Sequence, residues 1–173
     1  LQCTFLDKAM PIVTLFGDGG VFWILVAVSL LFFAKYRKTG FSMGMALILG
    51  LLVCNIILKP QVARIRPYNF QLQEYGREIT LLVKGLNDYS FPSGHTIASF
   101  EACTVLMLHD KRLGIPATIL AILIAFSRLY LYVHYPTDVL VSLVLGILFG
   151  ILGNLIVNAI YKKFVYKGKY IEE

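Results

Sequence analysis

Asp138-Val-Leu-Val-Ser-Leu-Val-Leu-Gly-Ile-Leu-Phe-Gly-Ile-Leu-Gly-Asn-Leu-Ile-Val-Asn-Ala-Ile-Tyr161 carries one charged side chain, Asp138, and that residue opens the stretch. As a helix rising about 1.5 Å per residue it is about 36 Å long, enough to cross about 30 Å of hydrocarbon. No strand-like alternation interrupts it. Backbone groups in lipid must pair within their own segment, which favours a helix here over a barrel strand. Four further apolar stretches run from about Val21 to Ala34, Phe41 to Leu58, Ser93 to Leu108 and Ile115 to Tyr132. The chain therefore reads as an all-α, polytopic transmembrane bundle of five spanning helices in a single domain, residues 1–173. Residues 1–17, broken by Asp7, Lys8 and Pro11, read as an interfacial helix or the shortened end of a spanning one. Gly17-Asp18-Gly19-Gly20 is a break.

The composition agrees. Of 173 residues 58% are hydrophobic, against about 45–50% in soluble domains. The net charge of +6 belongs to loops and an anion site, since no aromatic-plus-basic stripe suggests nucleic acid. Cys3, Cys54 and Cys103 lie far apart in apolar segments, without zinc-type spacing. They read as small buried hydrophobes.

Three polar stretches sit where the apolar segments end. The first is Lys59-Pro60-Gln61-Val62-Ala63-Arg64-Ile65-Arg66-Pro67, the second Pro92-Ser93-Gly94-His95, and the third Ser127-Arg128 with His134 and Asp138. Cleaving a phosphoester takes cations for its oxygens, a nucleophile and an acid for the leaving alkoxide. Arg66 can fork two oxygens and Lys59 supplies a point charge. Ser93 reads as the N-cap of a helix whose free N–H groups face an anion, and Gly94 lets backbone come close. His95 can donate a proton. Arg128, costly beside lipid, should face a polar interior. If the turn after His134 is helical, Asp138 at i+4 can hold one ring nitrogen and leave the other free to attack. Taken singly, Lys59 would be a snorkelling interface lysine, and His134 with Asp138 a capping pair.

The spacing K-x6-R-P, P-S-G-H and S-R-x5-H-x3-D resembles the three-part signature of the type 2 phosphatidic acid phosphatase (PAP2) superfamily. The motifs cover residues 59–138, and the hydropathy pattern extends the likeness over nearly the whole chain. The resemblance implies a membrane lipid phosphatase with no cofactor and no metal. In it His134 is the nucleophile that becomes a phosphohistidine, Asp138 assists, and His95 is the general acid. Lys59, Arg66, Ser93, Gly94 and Arg128 bind the phosphoryl oxygens. Phosphatidic acid, phosphatidylglycerol phosphate and undecaprenyl pyrophosphate are the substrates it suggests, and the compact loops suit a bacterial member. A lipid A phosphatase or phosphotransferase of the same fold is the alternative. An anion-conducting transporter is a different class, which would line several spans with polar groups at mid-membrane depth.

Loop charge orients the bundle. Lys35, Arg37, Lys38, Lys111, Arg112, Lys162, Lys163, Lys167 and Lys169 fall on alternate connections and predict a cytoplasmic side, together with the C-terminus. All three motifs then share the extracytoplasmic face. The remaining 7 of the 16 lysines and arginines include Lys59, Arg66 and Arg128, which the motifs use. Residues 60–92 form the long polar connection, expected to cover the outer mouth, with Leu81-Leu82-Val83 dipping toward headgroups. Glu101, Asn55, Asn154 and Asn158 read as hydrogen-bonding groups between helices. His109 reads as solvated, and oligomeric state is not readable.

Overall fold

The structure is a computed structural model that describes residues 3–166; Lys167 and Lys169 lie outside the described residues. Every regular element among those residues is helical. They are α1 (Thr4–Leu15), α2 (Val21–Leu31), α3 (Arg37–Gly50), α4 (Lys59–Val62), α5 (Pro67–Tyr75), α6 (Gly94–His109), α7 (Lys111–Tyr130) and α8 (Pro136–Ile160). Leu51–Leu58 continues α3 into α4 as a π-helix. Four helical stretches are long and apolar enough to cross a membrane: Thr4–Leu31, Ala34–Tyr75, Lys111–Tyr130 and Pro136–Phe164.

The third apolar segment became α6, which at 16 residues is shorter than the other candidates. It needs less apolar surface because it is the centre of the bundle, packed by α3, α7 and α8. Its polar residues Thr96, Ser99 and Glu101 are buried among those helices. Trp23 of α2 closes against it, its indole N–H donating to Ser99 Oγ at 3.0 Å.

Glycine sets the closest helix approaches. A Cβ on Gly146 would lie 2.7 Å from Phe100 Cβ, and one on Gly150 would lie 2.8 Å from Thr104 Cβ. Both α8 positions therefore let its backbone touch α6, as the small-residue spacing allows. Gly153 does the same toward α3, where a Cβ would meet the Ala46 nitrogen at 2.7 Å. Gly40 seats α3 on α2, while the space beside Gly44 is open.

Asp110 caps α7 by accepting from Arg112 N–H at 3.0 Å and also takes the Tyr36 hydroxyl at 2.9 Å. This ties the α2–α3 connection to the α6–α7 turn at one end of the bundle. His109 is exposed, as read from the sequence, and its Nε2 also lies 2.8 Å from Asn154 Oδ1, which accepts from Ser42 Oγ at 3.3 Å. At the opposite end, α1 lies against the last turns of α7. Met10 packs with Leu131 and Val133, and Tyr130 donates its hydroxyl proton to Asp7 at 2.6 Å. The 60–92 connection contains α5, started by Pro67 and stopped by Gly76 at φ 62. Val83, read above as dipping outward, packs on that same Met10 cluster.

Candidate active site

All three motifs meet at the α1 end of the bundle. The π-helical stretch ends at Lys59, and the chain turns at Ala63, a left-handed residue with φ 47. Left-handed backbone is costly for alanine and tends to mark functional places. Beyond it the chain runs extended, so Arg64 and Arg66 reach different targets. Arg64 Nη1 donates to Asp138 Oδ1 and to Thr137 Oγ1, each at 2.7 Å, and its guanidinium covers the Tyr135 ring at 4.0 Å. Arg66 is 2% exposed. It donates to the carbonyls of Asp88, Val133 and Tyr89 at 2.9, 2.8 and 3.2 Å. It thus clamps the segment before α6 to the segment before α8.

His134 sits in a non-helical turn, not in the helical one considered above, because Pro136 starts α8 two residues later. The imidazole and carboxylate still meet. Asp138 is the third residue of α8 and folds back to accept Tyr135 N–H at 2.9 Å, a capping interaction. That brings Oδ2 to 3.5 Å from His134 Nδ1, long for a hydrogen bond, and Nδ1 has no other hydrogen-bond partner. Such contacts commonly tighten when substrate binds. Asp138 is fully buried and also accepts from Ser90 Oγ and Arg64. The other ring nitrogen, His134 Nε2, lies 3.4 Å from Arg66 Nη1.

Six of the eight candidates, Lys59, Arg66, Gly94, His95, Arg128 and His134, line one cavity of about 520 Å³. Asp138 stands behind His134. Ser93 occupies the N-cap position of α6, but its side chain makes no cap bond. Its Oγ accepts from Thr96 instead, at 3.0 Å, and its N–H donates to Ser142 Oγ at 2.8 Å. Arg128 donates to Thr14 Oγ1 at 2.5 Å, while its Nε is buried and unpartnered. A buried donor without an acceptor is costly, and a ligand oxygen would satisfy it. At Gly94 a Cβ would sit tight against Asn55 Oδ1, at 3.2 Å.

Four residues entered the site that the motifs did not flag. Asp88 joins Lys59 at 2.6 Å and Arg66 at 2.5 Å. Asp18, in the break after α1, meets His95 Nε2 at 2.6 Å. Arg64 and Ser90 hold Asp138. Burial pushes the Asp88 carboxyl upward, but hydrogen bonds from Lys59 and Arg66 outweigh it and hold the group at about 2. Burial lowers His134 to about 4, and Arg128 and Arg66 push the same way against the Asp138 carboxylate.

The cavity continues inward past Gly50 to Glu101, which is 1% exposed with an unpartnered Oε1. A side chain at Gly50 would fall on that carboxyl group. A second, apolar cavity of about 420 Å³ between α2 and α3 shares Ile24, Leu47 and Leu51 with the first.

A membrane helical bundle with cations and two imidazoles gathered at one end is built to handle a phosphate. The sequence profile of the PAP2 superfamily matches residues 38–162. An undecaprenyl-diphosphatase of Sulfolobus acidocaldarius is 35% identical over 146 residues, 84% of this chain and 68% of that protein. The crystal structure of Aquifex aeolicus LpxE superposes with a TM-score of 0.75 at 28% identity, covering 88% of this chain and 87% of that one. The transmembrane PAP2-type phosphatidylglycerolphosphate phosphatase of Bacillus subtilis gives 0.71 at 26% identity, over 95% and 80%. The chain belongs to the PAP2 superfamily. It is a phosphoric-ester hydrolase of the membrane, acting on lipid phosphates.

Proposed function

We propose that the chain removes a terminal phosphate from a lipid phosphomonoester or pyrophosphate at the extracytoplasmic face, through a phosphohistidine on His134. The observation that carries this reading is His134 Nε2 beside the Arg66 guanidinium, in the cavity that also holds Lys59, His95 and Arg128. Lys59, Arg66 and Arg128 bind the phosphoryl oxygens, and Gly94 opens room for them at the start of α6. With Nδ1 toward Asp138, Nε2 carries the lone pair and attacks phosphorus. The P–O bond to the lipid breaks, and His95 gives the leaving oxygen its proton. Water then attacks the phosphohistidine, returning a proton to His95 and releasing inorganic phosphate. Asp138 holds the ring in the attacking tautomer. Asp18 fixes the orientation of His95. Ser93 supports the start of α6 by packing rather than by touching phosphate.

The five-span arrangement rests on counting α6 with its longer neighbours, and the outer placement of the site on loop charge. The apolar cavity between α2 and α3 runs on from the phosphate end and suits the substrate's hydrocarbon chain. An anion pathway fits less well, because the cations gather at one end and Glu101 alone among the charged groups lies deep in the cavity.

The test is phosphate release by purified protein in detergent from phosphatidic acid, phosphatidylglycerol phosphate, undecaprenyl pyrophosphate and a lipid A phosphate. Release from at least one lipid is expected, and the order of rates identifies the substrate. No release from any, with anion flux in proteoliposomes, would overturn the reading in favour of transport.

The nucleophile must be neutral to attack. Burial holds His134 at about 4 rather than the ordinary 6.5, so the imidazole is already unprotonated throughout the neutral range. The acid limb of kcat/KM is therefore expected near pH 4, after the substrate's own ionisation has been titrated separately. Activity that instead fell away below pH 6.5 would mean that His134 titrates as an exposed histidine.

A further inference from the structure

Arg66 has five N–H donors, and the folded chain uses all five. Three go to the carbonyls of Asp88, Val133 and Tyr89. One Nη2 hydrogen goes to Asp88 Oδ1 and one Nη1 hydrogen to His134 Nε2. The guanidinium therefore has nothing spare for a phosphate until some acceptor yields. The three carbonyls are backbone atoms fixed by the segments they belong to. The other two acceptors can yield: the Asp88 side chain is 50% exposed, and the 3.4 Å contact to His134 is long for a hydrogen bond. The second Asp88 oxygen receives Lys59 Nζ at 2.6 Å. The carboxylate thus spreads its two oxygens over Lys59 and Arg66 as two phosphoryl oxygens would.

We propose that Asp88 is an internal anion that occupies the phosphate subsite at rest and is displaced by the substrate's phosphate. The proposal rests on the reading of Lys59 and Arg66 as phosphate-binding groups. When phosphate arrives, the Arg66 Nη2 hydrogen passes from Asp88 to a phosphoryl oxygen. The Nη1 hydrogen passes from His134 Nε2 to another, and the histidine lone pair is freed at the moment its target is in place. Phosphate outcompetes the carboxylate because it carries more charge and more oxygens, and the unpartnered Arg128 Nε adds a donor that Asp88 does not engage. After turnover the carboxylate returns and helps inorganic phosphate leave. Asp88 is accordingly a positioning residue: it keeps two cations ordered and apart between turnovers. Its carboxyl, held at about 2, stays anionic over any working pH.

The deciding measurement is binding of inorganic phosphate, and of vanadate, to detergent-solubilised full-length protein by calorimetry. It needs no turnover, so it separates this proposal from the proposed catalysis. Asp88→Asn removes the competing charge and is expected to tighten phosphate about tenfold, with lower KM and no gain in kcat. Half exposure of the side chain keeps the expected effect this modest. Asp88→Glu, which retains a competing anion, is expected to bind phosphate as weakly as the parent protein. Unchanged or weaker phosphate binding in a folded Asp88→Asn protein would overturn the proposal. If that variant does not fold, Asp88→Ser, which also removes the competing charge, decides: it too should tighten phosphate, and unchanged or weaker binding there would overturn the proposal equally. Tighter binding in Asp88→Asn without any lipid hydrolysis would keep the internal anion and refute only the catalytic reading.

Discussion

Replacing His134 with alanine is expected to lower phosphate release by about 10³-fold or more, the scale seen when a nucleophile or its base is removed from a hydrolytic site. The protein should remain folded. His134 is buried, but its Nδ1 makes no hydrogen bond and its Nε2 only a long one, so its loss strands few partners. Radiolabelled substrate distinguishes this from a binding defect. The parent protein, quenched during turnover in alkaline denaturant, should retain phosphoryl label that is stable to base and labile to acid, as a phosphoramidate is. The alanine variant should retain none while still binding vanadate. Near-parental release by His134→Ala would remove the nucleophile from the scheme.

Arg66→Lys should be nearly as damaging, although it preserves charge. A lysine has three donors in place of five and no fork. It cannot satisfy the carbonyls of Val133, Tyr89 and Asp88 while also meeting Asp88 Oδ1. A buried carbonyl left bare costs about 1–3 kcal/mol, and Val133 is fully buried. The segments before α6 and α8 should separate, and with them the imidazole and its partners. We expect at least a 10²-fold loss of kcat/KM together with a lower Tm. The same exchange at Arg64 changes less, because Asp138 keeps Ser90 and the Tyr135 N–H. Full activity in Arg66→Lys would show that its charge alone matters, contrary to the five-donor arrangement.

The motif residues were legible because their chemistry is improbable in a lipid-facing helix. A lysine, two arginines and two histidines at the ends of apolar stretches had to be collected somewhere, and loop charge placed those ends together. Asp88 and Asp18 were not legible in that way. Each sits in a polar connection where an aspartate is ordinary, and its meaning comes from folding across 29 residues to Lys59 or 77 to His95. A signal existed for Arg64: two arginines two apart in an extended segment cannot share one target. For α6 the apolar run was right, but nothing along the chain told that it would be the innermost helix. Only the polar residues Ser99 and Glu101 within it hinted at that. The helical turn sketched between His134 and Asp138 gave way to a capping interaction, because Pro136 dictates where α8 begins.

The glycines of α8 have a further consequence. His95 stands at the head of α6, and His134 immediately precedes α8. Where those two helices touch, Gly146 leaves only backbone and the Phe100 Cβ between them. In the proposed mechanism the contact works as a calliper: its closed jaws, more than one turn inward, set how far apart His95 and His134 stand at the tips. The spacing at the site is then gauged along the α6–α8 contact, by Gly146 and Phe100, which do not line the cavity.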